Sequence, residues 1–321
     1  MLRLALLLLL LAAPLRADDA ARAAAFRDAF QGWMAGQGAR TGAIAIRHDN
    51  APVAAFGINT DPDLMRPLAS LSKMITALCV ARLVADRQLS YDTEVRKVLN
   101  LPQAAPITTG ALLSHATGLQ HDRTQGPMSW WRGDPTPRWP EVTPPALDPG
   151  RLTPGTPDYY YSNENYAVLG TIIEGVTHEG YETACRDRVL TPAGVTARPD
   201  PLFAAYLPWG GWRMSVADYA QLMDYAVGDN GILPGQIDQL PAQQVFGPVT
   251  YTMGLFRRDM GAGSNFWHFG SLCFEDGPNL GAYTAHWETG WTVTVWYDAC
   301  LEEAGMISLD QALVAVAYAI P

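Results

Sequence analysis

Lysine is almost absent from this chain. Of 22 basic residues only Lys73 and Lys97 are lysines, so arginine supplies nearly all the positive charge. Arginine keeps its proton in proteins, whereas a lysine in a dry place can lose it. Each remaining lysine therefore raises the question of what its amine does. Cysteine is also scarce, with four residues (Cys79, Cys185, Cys273 and Cys300), and none shares a C-x-x-C spacing. That argues against a zinc cluster or a thioredoxin-like centre. Positive charge is in deficit overall, with a formal net charge of −10. An acidic chain without a basic patch is a poor partner for nucleic acid or anionic membrane. After the N-terminal stretch, no apolar run approaches the roughly 20 residues that a spanning helix needs.

The N-terminus has the pattern of a secretory signal: Arg3, an apolar run from Leu4 to Ala13, and the small residue Ala17 before Asp18. Residues 1–17 are therefore expected to be a signal peptide, and the protein periplasmic or secreted. Residues 18–321 then carry 20 basic against 32 acidic side chains, in a length suited to one large domain or two packed lobes. Export allows up to two disulfides. Cys273 and Cys300, in neighbouring β segments, are the first pair to test. Cys79, in an apolar helical stretch, reads as a buried free thiol.

Hydrophobic periodicity outlines the rest. An Ala-rich segment with Phe26, Phe30, Trp33 and Met34 predicts an amphipathic helix, and residues 41–47 and 52–58 flank Asp49-Asn50 as a hairpin. From Ser70 to Arg87 the chain is helix-forming and apolar on most sides, which predicts a core helix. Residues 118–158 form a Pro- and Gly-rich excursion with several tryptophans, a length of loop that is often functional. Helices are expected at 166–176, 180–190 and 216–228. Strands are expected at 250–257, 266–274, 281–288 and 291–298, and a last helix at 309–319. Strands near both termini pack most simply as one antiparallel sheet covered by the terminal helices, with a mainly helical lobe over about 88–248 and a cleft between.

Ser70-Leu71-Ser72-Lys73 opens the core helix, and a spacing of three puts Ser70 and Lys73 on one face. A desolvated lysine can be neutral near pH 7 and can take the proton of a serine hydroxyl. With two lysines in the chain, about 0.06 such S-x-x-K matches are expected by chance. Tyr161-Ser162-Asn163 offers a phenol for proton relay and an amide for a substrate carbonyl. In His268-Phe269-Gly270 the glycine permits close backbone approach, and the imidazole can contact substrate or help order the relay. Alone, the last two patterns are as well explained by a capped turn and a half-buried histidine. His115 reads as structural, and His286 as a residue that could face His268 from the next strand. Trp130, Trp131, Trp139, Trp209 and Trp212 are candidates for an apolar cleft lining or for loop packing.

Taken in order, the three motifs resemble those of the serine β-lactamase and penicillin-binding protein family, in its class C β-lactamase and DD-peptidase-like branch. Leu112 to Leu119 (LLSHATGL), Pro154-Gly155-Thr156, Met214 to Asp218 and Tyr251 to Leu255 are similar to further segments of that family. The resemblance implies an α/β (α+β), β-lactamase/transpeptidase-like fold. It implies Ser70 as the acylated nucleophile, Lys73 as base and Tyr161 as proton relay. Asn163, His268, Gly270 and Ser271 would be substrate-side groups, and the N–H groups of Ser70 and Ser271 the oxyanion hole. No cofactor and no metal are implied. The expected substrate is a small ester, amide or D-amino-acid peptide. His268 stands where typical β-lactamases of the branch carry lysine, which places β-lactam hydrolysis second. A non-catalytic wall-binding module is the third reading.

Overall fold

A computed structural model describes residues 17–119, 121–153 and 158–320. The expected signal peptide, apart from Ala17, lies outside these residues, as does Pro154-Gly155-Thr156. The strands are β1 (Gly42–His48), β2 (Ala51–Ile58), β3 (Arg66–Pro67), β4 (Ala197–Pro199), β5 (Trp212–Met214) and β6 (Gln243–Phe246). They continue with β7 (Val249–Thr252), β8 (Leu255–Asp259), β9 (Ser264–Leu272), β10 (Leu280–His286) and β11 (Trp291–Tyr297). The helices are α1 (Ala17–Gln37), α2 (Ser72–Ala85), α3 (Val95–Val98), α4 (Thr109–Leu113), α5 (Pro127–Trp130) and α6 (Trp139–Ala146). They end with α7 (Asn163–Thr177), α8 (Tyr181–Cys185), α9 (Thr191–Ala193), α10 (Val216–Val227) and α11 (Glu303–Ala317).

Eight strands form one antiparallel sheet in the order β2-β1-β11-β10-β9-β8-β7-β6, and β3-β5-β4 form a small second sheet. The first hairpin turns at Asp49 and Asn50, both with positive φ (49° and 63°). Two such residues are what a two-residue turn between twisted strands requires. One face of the large sheet is covered by α1 and α11. There Phe26, Phe30 and Trp33 pack with Tyr283, Val293, Val295, Leu309 and Leu313. On the other face α2 and α10 join the helical part of the chain in the larger core. Helix α2 is buried nearly throughout, Lys73 included, so its apolar circumference meets protein on all sides. Among the described residues no helix is long and apolar enough to cross a membrane.

The structure corrects several sequence expectations about the fold. Residues 250–257 are two strands, β7 and β8, joined by a reversal at Met253 (φ 50°) and Gly254 (φ 80°). The methionine in a left-handed position hid the turn, and the turn is placed by packing. A Cβ on Gly254 would lie 2.7 Å from the backbone N of Met74 and 2.9 Å from the carbonyl carbon of Lys73. Second, Ser70 lies in a 3₁₀ turn (Ala69–Leu71) that leads into α2, not in the α-helix itself. Third, Cys273 and Cys300 follow β9 and β11 rather than lying in them, although they do form a disulfide. Cys79 is a buried free thiol, as is Cys185.

Candidate active site

Lys73 is fully buried, and its amine has three neighbours. Nζ lies 2.8 Å from Asn163 Oδ1, 3.0 Å from the Trp209 carbonyl and 3.1 Å from Ser70 Oγ. Burial pulls its pKa down to about 7, and the negative charge of Asp122 holds it from falling further. The three contacts define what the neutral amine does. An amide oxygen and a backbone carbonyl can only accept, so two N–H bonds go to Asn163 and Trp209. The lone pair is then left for Ser70, whose hydroxyl can donate. The Asn163 amide is held in this sense because its Nδ2 donates to Thr124 Oγ1 at 3.0 Å. By contrast, Lys97 is exposed and 3.1 Å from Glu94, an ordinary surface lysine.

Three segments far apart in sequence meet here. Ser162 caps α7 by accepting from the Glu164 N–H, which puts Asn163 at the first helical position. The excursion supplies Asp122, whose Oδ2 accepts the Asn163 backbone N–H at 3.0 Å. It is anchored by a buried, two-pronged ion pair from Arg151 to Glu164 at 2.7 and 2.8 Å. Tyr161 stacks its ring 4.8 Å from the Lys73 amine. Burial raises its pKa above the usual phenol value, an effect the Ser70 side chain partly offsets and Asp122 reinforces. The phenol therefore keeps its proton at neutral pH, and of the two groups Lys73 is the one that can act as a base.

His268 is buried with both ring nitrogens engaged. Nδ1 meets the Phe269 carbonyl at 2.5 Å and must donate to it, so Nε2 accepts from the Tyr251 hydroxyl at 3.1 Å. Burial and the nearby Lys73 pull its pKa down to about 3, against the pull of the Phe269 carbonyl. It is a neutral wall of the site and not a fixed charge. Gly270 is where β9 touches the Ser70 turn. A Cβ there would come within 2.6 Å of the Leu68 carbonyl and 3.1 Å of the Ser70 backbone N. Ser271, next along β9, is half-buried and lines the same cleft as Ser70, Tyr161, Asn163 and His268.

His115 is a positioning residue for this corner. Its Nδ1 faces Asn165 Nδ2 at 2.8 Å and the Ser162 N–H at 3.3 Å, both donors, and its ring packs 4.5 Å from that of Tyr161. His286 does not face His268. Thr284 is opposite His268 on β10, and His286 instead bonds Thr292 at 2.8 Å beside Asp224. The tryptophans divide between the two roles. Trp130 and Trp209 line the cleft, whereas Trp139 and Trp212 are core residues bonded to Glu174 and Tyr181. Trp131 packs edge-on against Trp209. Asp122, Thr124 and the Trp209 carbonyl belong to the site, yet no short motif points to them; Tyr251, which opens the family-like segment Tyr251 to Leu255, joins them through His268. The Gly-Gly pair after Trp209 is the nearest thing to a signal for the Trp209 carbonyl.

Comparison with known proteins bears on family and fold. The family model described as Beta-lactamase matches residues 26–302. Penicillin-binding protein 4 of Amycolatopsis lactamdurans is 32% identical over 145 residues, which is 43% of this chain and 37% of that protein. The match thus spans little more than a third of that relative's length. Among solved structures, D-amino acid amidase from Ochrobactrum anthropi SV3 superposes with a TM-score of 0.73 at 18% identity, over 90% of this chain and 99% of that one. A class C β-lactamase from Rhodobacter sphaeroides gives 0.71 at 16% identity, over 92% of this chain and 99% of that one. At these identities the likeness is one of fold.

Proposed function

We propose that this chain, which belongs to the Beta-lactamase family, is a serine hydrolase that cleaves an ester, amide or D-amino-acid peptide through an acyl-enzyme on Ser70. The observation that carries the reading is the buried Lys73 amine. Its pKa lies near 7, it has two obligatory acceptors, and its third neighbour, 3.1 Å away, is the Ser70 hydroxyl.

In this reading the Ser70 oxygen attacks the substrate carbonyl carbon while its proton passes to Lys73 Nζ. The oxyanion is received by the backbone N–H groups of Ser70 and Ser271, which the bare Cα of Gly270 lets close on one another. Collapse breaks the bond to the leaving group, which takes the proton from Lys73 by way of the Tyr161 hydroxyl. Water then repeats the sequence on the acyl-enzyme and frees Ser70. Asn163 holds the amine and meets the substrate on its cleft side. The Cys273–Cys300 disulfide supports an exported protein, since such bonds persist in oxidising compartments.

Hydrolysis of β-lactams fits less well, because neutral His268 offers no fixed positive charge to a carboxylate. A pure binding role leaves the near-neutral lysine without a use. The test is a panel of aryl esters, D-aminoacyl amides and benzylpenicillin, run on the wild type and Ser70→Ala. Turnover of an ester or amide, reduced at least a thousandfold in the variant, supports the proposal. Rapid turnover of benzylpenicillin with none of the others would replace it by the β-lactamase reading.

A further inference from the structure

The cleft in front of Ser70 is larger than a small acyl group needs. Its volume is about 1600 Å³, against roughly 300–1,000 Å³ for a pocket that encloses a drug-sized molecule. The extra space has a structural origin. Strand β8 pairs with β9 only from Ser264 to Trp267, so from His268 to Leu272 β9 has no partner strand on that side. The cleft runs round this unpaired edge to a groove walled by the first turns of α11, where Met306 and Ile307 line it.

From the serine to the groove the floor is a continuous run of rings that ends on the apolar faces of Phe256 and Trp267. The ring of Tyr161 lies 5.9 Å from His268, His268 lies 5.6 Å from Phe256, and Phe256 stacks on Trp267 at 5.7 Å. Large apolar side chains left in water cluster along the same cleft: Trp130 is 81% exposed, Phe246 59% and Ile307 45%. Exposed apolar surface gathered in this way marks a binding surface.

The charge is equally specific. The cleft is lined by Glu275, Asp276, Glu303 and Asp310 against only Arg132 and Arg258. Arg132 is committed to both carboxylate oxygens of Asp276 and to the Gly277 carbonyl. Arg258 lies over the Trp267 ring. Asp310 accepts from Tyr283 at 2.6 Å.

We propose that the cleft binds an extended substrate whose apolar chain lies in the groove between β9 and α11, and that it selects neutral or cationic chains against chains ending in a carboxylate. This rests on Ser70 as the acylated residue and specifies the substrate class of that same site. A chain lying on the Phe256–Trp267 floor gains by transfer from water, up to ~4-fold per fully buried methylene. A terminal carboxylate meets a rim where Arg132 and Asp276 pair with each other, which leaves Glu275, Glu303 and Asp310 against Arg258.

The experiment measures kcat/KM for p-nitrophenyl esters from acetate to decanoate and for alkyl acetates that vary the leaving side. A matched octanoyl pair, with and without a terminal carboxylate, completes the set. The expected result is a rise of at least ~10-fold with length in one of the two series, expressed mainly in KM. The carboxylate-ended substrate is expected to be at least ~10-fold poorer, and the gap should narrow as salt rises. Ile307→Asp, on the exposed face of α11, should flatten the length dependence. Ile307→Arg should favour the carboxylate-ended substrate relative to its neutral partner. Flat length profiles in both series, or equal use of the matched pair, overturn the inference. Labelling of Ser70 by a fluorophosphonate, done in parallel, separates the two levels. A labelled Ser70 with flat profiles overturns only the substrate class, and an unlabelled Ser70 overturns the nucleophile as well.

Discussion

If Lys73 takes the Ser70 proton, the rate of acylation must follow the fraction of Lys73 that is neutral. With a pKa of about 7, that fraction is ~0.1 at pH 6 and ~0.9 at pH 8. kcat/KM should therefore climb about tenfold across this interval and level off above it. Neither neighbouring group should add a limb there. His268 is already neutral, because burial has taken its pKa to about 3, and Tyr161 is held protonated by burial. The charge of Asp122 opposes the fall in the Lys73 pKa, so Asp122→Asn should move the limb to lower pH. At pH 6 the variant should then keep a larger fraction of its own plateau rate than the wild type does. Lys73→Arg should be inactive at every pH, since a guanidinium stays protonated. The assay is the pH profile of kcat/KM for a neutral aryl ester, whose own charge does not change. A profile flat from pH 6 to 8 and rising only near 10 would refute the reasoning. So would a shift of the Asp122→Asn limb to higher pH.

Gly270→Ala would push a methyl group to 2.6 Å from the Leu68 carbonyl, next to the Ser70 backbone N. Acylation should fall about a hundredfold or more, while circular dichroism stays native. Tyr161→Phe should lower kcat/KM by roughly 10²–10⁴ and leave the pH of the Lys73 limb in place, which separates a proton carrier from the base. The Cys273–Cys300 bond closes a span of 27 residues. Its removal by a double alanine variant should cost about 3–4 kcal/mol by loop entropy, read as a lower denaturant midpoint.

Some of this site was legible in the sequence because its chemistry is local. The spacing of Ser70 and Lys73 survives although the serine sits in a 3₁₀ turn and the lysine in α2, since both conformations bring residues three apart to one side. The apolar surroundings of α2 likewise pointed to a desolvated amine. The rest depends on long-range contacts that carry no local signal. The Trp209 carbonyl that holds Lys73 comes from 136 residues away, and any residue type could supply it. Asp122 is one acid among many in an acidic chain until the Arg151–Glu164 pair draws its loop against α7. The sequence offers His268 as a substrate contact or an aid to the relay, and it carries no sign of the Phe269 and Tyr251 partners of its two nitrogens, which the register of β7, β8 and β9 brings in. The reversal at Met253-Gly254 was missed for a related reason. It is the packing of that turn on the α2 backbone, not its composition, that demands a left-handed pair.

The central claim is that Ser70 is a nucleophile activated by Lys73. Its most direct test is the intact mass of the wild type, Ser70→Ala and Lys73→Ala after incubation with a fluorophosphonate, followed by peptide mapping. The account predicts one adduct on the wild type at Ser70, none on Ser70→Ala and markedly slower labelling of Lys73→Ala. An adduct that persists in Ser70→Ala, or labelling of Lys73→Ala at the wild-type rate, would contradict it.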